Sequence, residues 1–127
     1  MRTILIVDDE KDMRKKYKKL LVKKGFRILE APNALEVANA LMRAKSTIDL
    51  ILLDINIKEV DGRDISEIVE EYAPNIPIIV TSVLPLQDQK LKIRRAVDYF
   101  NKSHKDELLL KKIRNVVGAL EEKREEE

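Results

Sequence analysis

The feature that most constrains this chain is a short aliphatic run that ends in a carboxylate. Asp49–Leu53 is almost uniformly aliphatic, and Asp54 follows it directly. A short run that is apolar on both faces is typical of a strand in a parallel sheet covered by helices. Because ligands of such sheets bind beyond the carboxyl ends of the strands, we predict that Asp54 lies where a ligand binds.

The same pattern recurs along the chain and alternates with helical periodicity. The predicted strands are Thr3–Val7, Phe26–Ala31, Asp49–Leu53, Ile76–Thr81 and Val97–Phe100. Apolar residues at helical spacing, which in the first helix are Met13, Tyr17, Leu20 and Leu21, predict five helices between and after them. The first helix is expected over Lys11–Lys24, ended by Gly25, and the fourth over Gln87–Ala96. The second and the fifth are expected to begin at capping boxes, Asn33–Glu36 and Ser103–Asp106, and the third at a cap formed by Asp61. This alternation predicts an α/β fold with a doubly wound parallel sheet.

Length and composition indicate one globular domain. The chain has 127 residues, of which 44% are hydrophobic and 38% charged, which excludes a disordered chain. The absence of Cys excludes disulfides, thiol chemistry and zinc–thiolate sites, and it suits a reducing cytoplasm. The run Ile4–Val7 is too short for a signal peptide or a membrane span. We therefore predict a cytoplasmic domain over residues 1–120 and a charged tail over 121–127.

Polar side chains end four of the five predicted strands. They are Asp8 and Asp9, Asp54, Thr81 and Ser82, and Lys102. Two unit charges about 4 Å apart repel by about 4 kcal/mol at an effective dielectric near 20, so clustered carboxylates need a counter-charge. Oxygen ligands without a nearby His or Cys favour Mg²⁺. The strand ends therefore predict a magnesium site.

The remaining groups at these strand ends suit phosphate chemistry. Lys102 adds a point charge for phosphate oxygens, and Thr81 or Ser82 adds a hydroxyl donor. A carboxylate in such a site can attack phosphorus and form an aspartyl phosphate. Asp54 stands alone at the end of the central strand, so it is the candidate nucleophile.

Taken together, these segments resemble the receiver domain of bacterial two-component response regulators. The matching segments, within Arg2–Leu120, are Ile4–Glu10, Leu52–Asp54 with Asp61–Gly62, Pro77–Ser82 and Asp98–Lys102. The resemblance implies a single five-stranded parallel sheet, (βα)5, with the flavodoxin-like strand order 2-1-3-4-5.

The resemblance also assigns the chemistry to individual residues. It implies that Asp54 accepts a phosphoryl group from a histidine kinase or a histidine phosphotransfer protein, while Thr81 and Lys102 contact the phosphoryl oxygens. The implied Mg²⁺ ligands are Asp8, Asp9, Asp54 and the backbone carbonyl of Asn56. Such a domain modifies itself and turns over no separate substrate.

The resemblance further implies a switch and partner surfaces. Tyr99 corresponds to the aromatic residue that rotates inward when Thr81 moves toward the phosphate. The first helix of the family docks on the kinase, which makes Lys16, Lys19 and Leu20 candidates for partner contact. A downstream protein target and a phosphorylation-dependent dimer are also implied, with no membrane and no direct nucleic-acid contact.

Several positions depart from the family pattern, and two of them bear on the site and on the fourth helix. Ser103 replaces the proline that usually follows the lysine, where the family commonly has a cis peptide. A non-proline cis bond costs about 2.5 to 4 kcal/mol, so either the strained bond is kept to aim Lys102 or a trans bond re-routes the loop. Arg95 stands where a glycine is typical.

Other functions compete with the receiver. An acidic pair after a strand is usually a helix N-terminus, and the lysines of the first helix usually form a solvated face. A phosphatase with an aspartyl-phosphate intermediate would need a general acid, which Asn56 cannot be. A flavodoxin-like nucleotide binder is opposed by carboxylates where its phosphate loop belongs. A receiver that acts only by protein contact, and the N-terminal part of a DNA-binding regulator, remain open.

Overall fold

Strands and helices alternate along the whole chain, as the sequence pattern predicts. The computed structural model describes residues 2–55 and 62–126, with side chains described at 2–55 and 65–119. The strands are β1 Thr3–Val7, β2 Arg27–Ala31, β3 Ile48–Asp54, β4 Ile78–Ser82 and β5 Asp98–Asn101. The helices within the described residues are α1 Lys11–Lys23, α2 Ala34–Ala44, α3 Gly62–Tyr72, α4 Leu86–Lys92 and α5 Asp106–Glu126.

The five strands form one parallel sheet in the order β2-β1-β3-β4-β5. The predicted fold class and strand order are therefore confirmed. The register pairs Val7 with Leu53 and Asp54 with Thr81, so the ends of β1, β3 and β4 lie side by side. This alignment brings the polar residues after each strand to one edge of the sheet.

Alternating side chains of the strands build a core on each face of the sheet. One cluster joins residues such as Leu5, Leu53 and Val80 to α2 and α3. The other joins residues such as Ile6 and Leu52 to α1 and α5. β1, β3 and β4 are apolar on both faces because both faces are covered, which explains their continuous aliphatic runs.

Two predicted helix boundaries have the expected local cause. The side-chain oxygen of Asn33 accepts a hydrogen bond from the Glu36 backbone N–H at 2.9 Å and so caps α2. Gly25 follows α1 with a φ of 91°, a left-handed conformation that favours glycine over any residue with a Cβ. The predicted cap Asp61 lies outside the described residues.

Other boundaries differ from the prediction. β4 begins at Ile78 rather than Ile76, because Pro77 has no N–H to donate and contributes only its carbonyl, to Ile51. α5 continues to Glu126, beyond the predicted start of the tail at 121, because the residues after Gly118 are strong helix formers without Pro or Gly. The predicted domain boundary at residue 120 stays a prediction.

The predictions for α4 and for the start of α5 were wrong. α4 ends at Lys92 rather than Ala96, because Ile93 is buried and adopts an extended conformation that leads toward β5. Ser103 does not cap α5, since its hydroxyl donates to the side-chain oxygen of Asn101 and the helix begins at Asp106. No helix in the described part of the chain has both the length and the apolar character needed to cross a bilayer.

Candidate functional site

Asp54 is the last residue of β3 and lies at the centre of the polar edge. Its side chain is buried, although it is charged. β3 runs between β1 and β4, so Asp54 has the end of β1 on one side and Thr81 on the other. Thr81 is also buried, with 2% of its surface exposed. The sheet therefore brings the candidate nucleophile and the candidate hydroxyl donor together.

The two acidic residues after β1 complete the carboxylate cluster. Asp8 is buried and Asp9 is half-buried. Local hydrogen bonds hold Asp8 in place: its Oδ1 accepts from the Glu10 backbone N–H at 2.9 Å, and its carbonyl accepts from the Arg14 guanidinium at 2.7 Å. One carboxylate oxygen from each of Asp8, Asp9 and Asp54 lies within 4.8 Å of the other two.

Lys102 provides a positive charge in this cluster. Its Nζ lies 3.0 Å from Asp8 Oδ2 and 3.3 Å from Asp54 Oδ2, and its side chain is 10% exposed. Burial lowers the pKa of the Lys102 ammonium, but the charges of Asp54 and Asp8 outweigh this effect, so its pKa is raised overall. Lys102 is therefore protonated at neutral pH.

The donor set fits a divalent cation of the magnesium type. The cluster combines three carboxylates with one ammonium, which leaves an excess of negative charge that a divalent ion can offset. The three acidic residues supply oxygen ligands, the type that Mg²⁺ prefers. Asn56, whose carbonyl was predicted as a further ligand, lies outside the described residues.

The backbone after Lys102 follows the second of the two predicted alternatives. No cis peptide occurs within the described residues, so the Lys102–Ser103 bond is trans. The side-chain oxygen of Asn101 accepts from the Ser103 backbone N–H at 2.9 Å, and the Asn101 carbonyl accepts from the His104 N–H at 2.9 Å. This turn directs Lys102 toward the carboxylates without proline.

Tyr99, the candidate switch residue, is in an inward position. Its ring is buried, and its hydroxyl donates to the Ile93 carbonyl at 2.5 Å. The Nζ of Lys90 lies 5.8 Å from the ring centroid, within reach of a cation–π interaction. Tyr99 thus connects β5 to the end of α4.

The predicted partner-facing residues lie together on α1. Lys16 and Lys19 are exposed, while Leu20 is half-buried against the core. Lys16 Nζ lies 3.6 Å from Asp106 Oδ1 at the start of α5. The lysines therefore lie on a solvent-exposed part of the helix that follows Asp8 and Asp9.

Sequence reasoning missed two residues beside the site. Tyr17 belongs to the buried stripe of α1, and its pKa is raised by burial first and then by the charge of Asp8. The helical spacing of Tyr17 correctly predicted that it is a core residue, but nothing in the sequence indicated that it also lies near Asp8. Arg14 holds the Asp8 carbonyl, but in the sequence it is one of many basic residues in α1, and no signal distinguished it.

Comparison with known proteins gives one family match. The family model described as "Response regulator receiver domain" matches residues 4–114. The chemotaxis protein CheY of Thermotoga maritima is 30% identical over 96 residues, which cover 75% of this chain and 78% of that protein. The transcriptional regulatory protein YbdJ of Bacillus subtilis is 26% identical over 90% of this chain and 50% of its own length. The chain thus spans about half the length of this relative.

Solved structures have the same fold. The response regulator TrrA of Thermotoga maritima, solved in complex with Mg²⁺ and BeF, is 26% identical, with a TM-score of 0.81 over 91% of this chain and 99% of its own. A receiver domain of Methanospirillum hungatei is 22% identical, with a TM-score of 0.87 over 97% of this chain and 98% of its own. At 22% identity, the Methanospirillum hungatei structure shows only that the two chains share a fold.

Proposed function

The chain belongs to the response regulator receiver domain family, and from this premise we propose that Asp54 accepts a phosphoryl group in a Mg²⁺-dependent reaction. The observation that carries the proposal is the buried cluster of Asp8, Asp9 and Asp54 around the Lys102 ammonium. Receiver domains are signalling domains, and the reaction proposed here is the chain's modification of itself.

The proposed reaction moves one phosphoryl group between two proteins. An oxygen of the Asp54 carboxylate attacks phosphorus, and the bond between phosphorus and a histidine nitrogen of the donor breaks. The electron pair of that bond returns to the histidine, which takes up a proton. The product is an acyl phosphate on Asp54. The donor is a histidine kinase or a histidine phosphotransfer protein.

The other residues stabilise charge around the phosphoryl group. Mg²⁺, when bound by Asp8, Asp9, Asp54 and the Asn56 carbonyl, supplies the charge that offsets the carboxylates and the phosphoryl oxygens. The Lys102 ammonium, now shared between Asp8 and Asp54, can turn one of its three donors to a phosphoryl oxygen. The Thr81 hydroxyl donates to another.

Phosphorylation then alters the surface that partners recognise. The phosphoryl group adds about 1.5 to 2 negative charges, as it does on other side chains. Thr81 moves toward these charges. Tyr99, the residue that the resemblance expects to rotate inward, already has that position in this structure, and its bond to the Ile93 carbonyl at the end of α4 holds it there. The altered surface binds a downstream protein or a second phosphorylated copy.

The predicted kinase-docking residues of α1 fit this function. Lys16 and Lys19 are exposed beside Leu20, which suits a partner helix with an apolar stripe and acidic flanks. The proposed partners are therefore classes of protein: a histidine kinase or histidine phosphotransfer protein as donor, and a downstream protein as target. The cytoplasmic location and the absence of nucleic-acid contact also stay predictions from the sequence.

Intact-mass analysis after incubation with acetyl phosphate tests the proposed chemistry. We expect the gain of one phosphoryl group with Mg²⁺ and none after chelation. Asp54→Asn should abolish the gain. Asp49→Asn, which removes a carboxylate near the opposite end of the same strand, should retain it. No gain in any condition would reject the proposal and favour a domain that acts by protein contact alone.

A further inference from the structure

Helix α4 is attached to the rest of the molecule through a polar side chain. Gln89 is the buried residue of this helix, with 0% of its surface exposed. Its neighbours Gln87 and Lys90 are exposed. A buried position on a short helix is ordinarily apolar, so the amide at this position has to be explained by its partners.

The amide of Gln89 joins a network around one loop residue. Its Nε2 donates to the Leu84 carbonyl at 2.8 Å and to the Phe100 carbonyl at 3.2 Å. Asn101 Nδ2 donates to the same Leu84 carbonyl at 3.3 Å. The Leu84 N–H donates to Ser82 Oγ at 3.1 Å. Side chains from β4, α4 and β5 therefore hold Leu84 from both its N–H and its carbonyl.

This network touches the two strands that carry Thr81 and Lys102. Ser82 follows Thr81 directly, and Asn101 precedes Lys102. The Lys102 backbone N–H donates to the Ser82 carbonyl at 2.8 Å, and Phe100 is the register partner of Thr81. The strand ends that carry Thr81 and Lys102 are thus bonded to the same residues whose carbonyls Gln89 binds.

The remaining polar atom of Gln89 is the second sign that this residue serves more than stability. Its Oε1 is buried and accepts no hydrogen bond within the described residues. A buried acceptor without a donor is costly, and an apolar side chain would avoid that cost. Retention of the amide is explained if its hydrogen bonds to Leu84 and Phe100 are rearranged when the site is occupied.

We propose that Gln89 is a positioning residue of the switch: its amide couples α4 to the strand ends that carry Thr81 and Lys102. The proposal rests on the proposed phosphorylation of Asp54. When Thr81 moves toward the phosphoryl group, the Ser82–Leu84 loop moves with it, and Gln89 passes this movement to α4.

Hydrogen exchange of the α4 amides tests the coupling, with acetyl phosphate and Mg²⁺ as the probe. Gln89→Met keeps the length of the side chain but removes the amide. Gln87→Met makes the same change at an exposed position of the same helix. Intact mass, measured on the same samples, reports the phosphoryl gain separately.

We expect the unsubstituted chain and Gln87→Met to change their α4 exchange rates about threefold or more upon phosphorylation. In Gln89→Met the phosphoryl gain should be unchanged, while the α4 response falls to nearly none. A purely structural role would accelerate exchange in both states and leave their ratio unchanged, which would overturn the proposal. A chain that is phosphorylated without any α4 response would also overturn it. No phosphoryl gain in the unsubstituted chain would instead refute the proposed function, and this inference with it.

Asn101→Ala provides a second test that leaves the buried glutamine in place. It removes the other donor to the Leu84 carbonyl from a half-buried position. It also removes the oxygen that accepts from Ser103 in the turn after Lys102, so the α4 response is compared per phosphorylated molecule, with intact mass measured on the same samples. We expect the α4 response to be reduced by about half, because one of two donors to that carbonyl remains. If Gln89→Met does not fold, an unchanged α4 response in Asn101→Ala overturns the proposal.

Discussion

Helices α1 and α4 both adjoin the site, but they are attached to the sheet by different kinds of contact. α1 has thirteen residues and buries Tyr17 and Leu21 in the core. α4 has seven residues, and its buried residue is Gln89, which is held by hydrogen bonds. One helix is fixed mainly by apolar packing, and the other mainly by a polar network beside the half-buried Leu86, its apolar contact with the core.

The two kinds of attachment suit a helix that keeps the carboxylate cluster in place and a helix that moves in the proposed switch. α1 follows Asp8 and Asp9 directly, and Arg14 within it holds the Asp8 carbonyl. Apolar packing has one close-packed arrangement, so it keeps this end of the carboxylate cluster fixed. Hydrogen bonds to carbonyls can be exchanged for others at little net cost. A helix held in that way can take a second position, as the proposed switch requires of α4.

Removal of the apolar anchor of α1 should have the largest effect. Leu21 is fully buried, so Leu21→Ala loses apolar contacts and leaves a cavity. We expect the free energy of unfolding to fall by about 3 kcal/mol, measured by urea unfolding. Val22→Ala, at a neighbouring residue that is 52% exposed, should change it by less than about 0.5 kcal/mol. Equal losses in both variants would mean that packing does not anchor α1.

The second prediction concerns the ionisation of Tyr17. Burial raises the pKa of its phenol in the folded chain, with Asp8 adding to the effect, while the unfolded chain ionises near pH 10. The unfolded state therefore releases its proton first, and stability falls as the pH rises above about 10. Each pH unit between the two pKa values costs at most about 1.4 kcal/mol.

Tyr17→Phe should flatten this loss, because it keeps the buried ring and removes the phenol. Urea unfolding between pH 8 and pH 11 measures the slope. Tyr72→Phe, at an exposed tyrosine, should leave the slope as it is in the unsubstituted chain. The Lys102 ammonium and the Tyr99 phenol, whose pKa values are also raised, remain in both variants and account for a residual loss at high pH. An unchanged slope in Tyr17→Phe would contradict the burial of the phenol.

The contrast between the two helices also explains how far the sequence predicted the molecule. Strands buried on both faces appear as continuous aliphatic runs, and parallel strands bring their carboxyl ends together. The fold class and the convergence of Asp8, Asp54, Thr81 and Lys102 followed from these two rules. Leu21 was also identified as core, because apolar residues at helical spacing reveal a packed helix.

α4 was predicted less well because its anchors leave no apolar pattern. Gln89 is polar, so periodicity does not reveal that it is buried. The end of the helix depends on the hydroxyl of Tyr99, which donates a hydrogen bond to the carbonyl of Ile93, a residue outside β5. The Ser103 capping box failed because Ser103 is held in a turn with Asn101 and the helix begins only at Asp106. Hydrogen bonds that leave no apolar periodicity decide these details.

The third prediction tests the polar anchor of α4 for its effect on stability. Gln89→Met loses two hydrogen bonds but also removes a buried acceptor without a donor. These effects oppose each other, so we expect the free energy of unfolding to change by no more than about 1 kcal/mol. Urea unfolding beside Gln87→Met measures this. A loss as large as that of Leu21→Ala would mean that both helices are anchored equally firmly.

The smallest expected effect concerns the exposed side of α1. Lys16 pairs with Asp106 at 3.6 Å, but their side chains are 51% and 36% exposed, so solvent screens the pair. Lys16→Glu should lower the free energy of unfolding by less than about 1 kcal/mol, and 1 M salt should reduce that loss. Lys19→Glu is the matched control, since Lys19 makes no ion pair within the described residues.

Because neither reversal should disturb the fold or the reaction with acetyl phosphate, the double variant isolates partner recognition on α1. With a histidine kinase as donor, it should transfer phosphate more slowly and with a weaker dependence on salt than the unsubstituted chain. An unchanged rate and salt dependence would remove Lys16 and Lys19 from the docking surface. A large loss of stability would instead mean that the exposed side of α1 helps to anchor the helix. That result would contradict the view that the buried side of α1 provides its packing and the exposed side provides partner recognition.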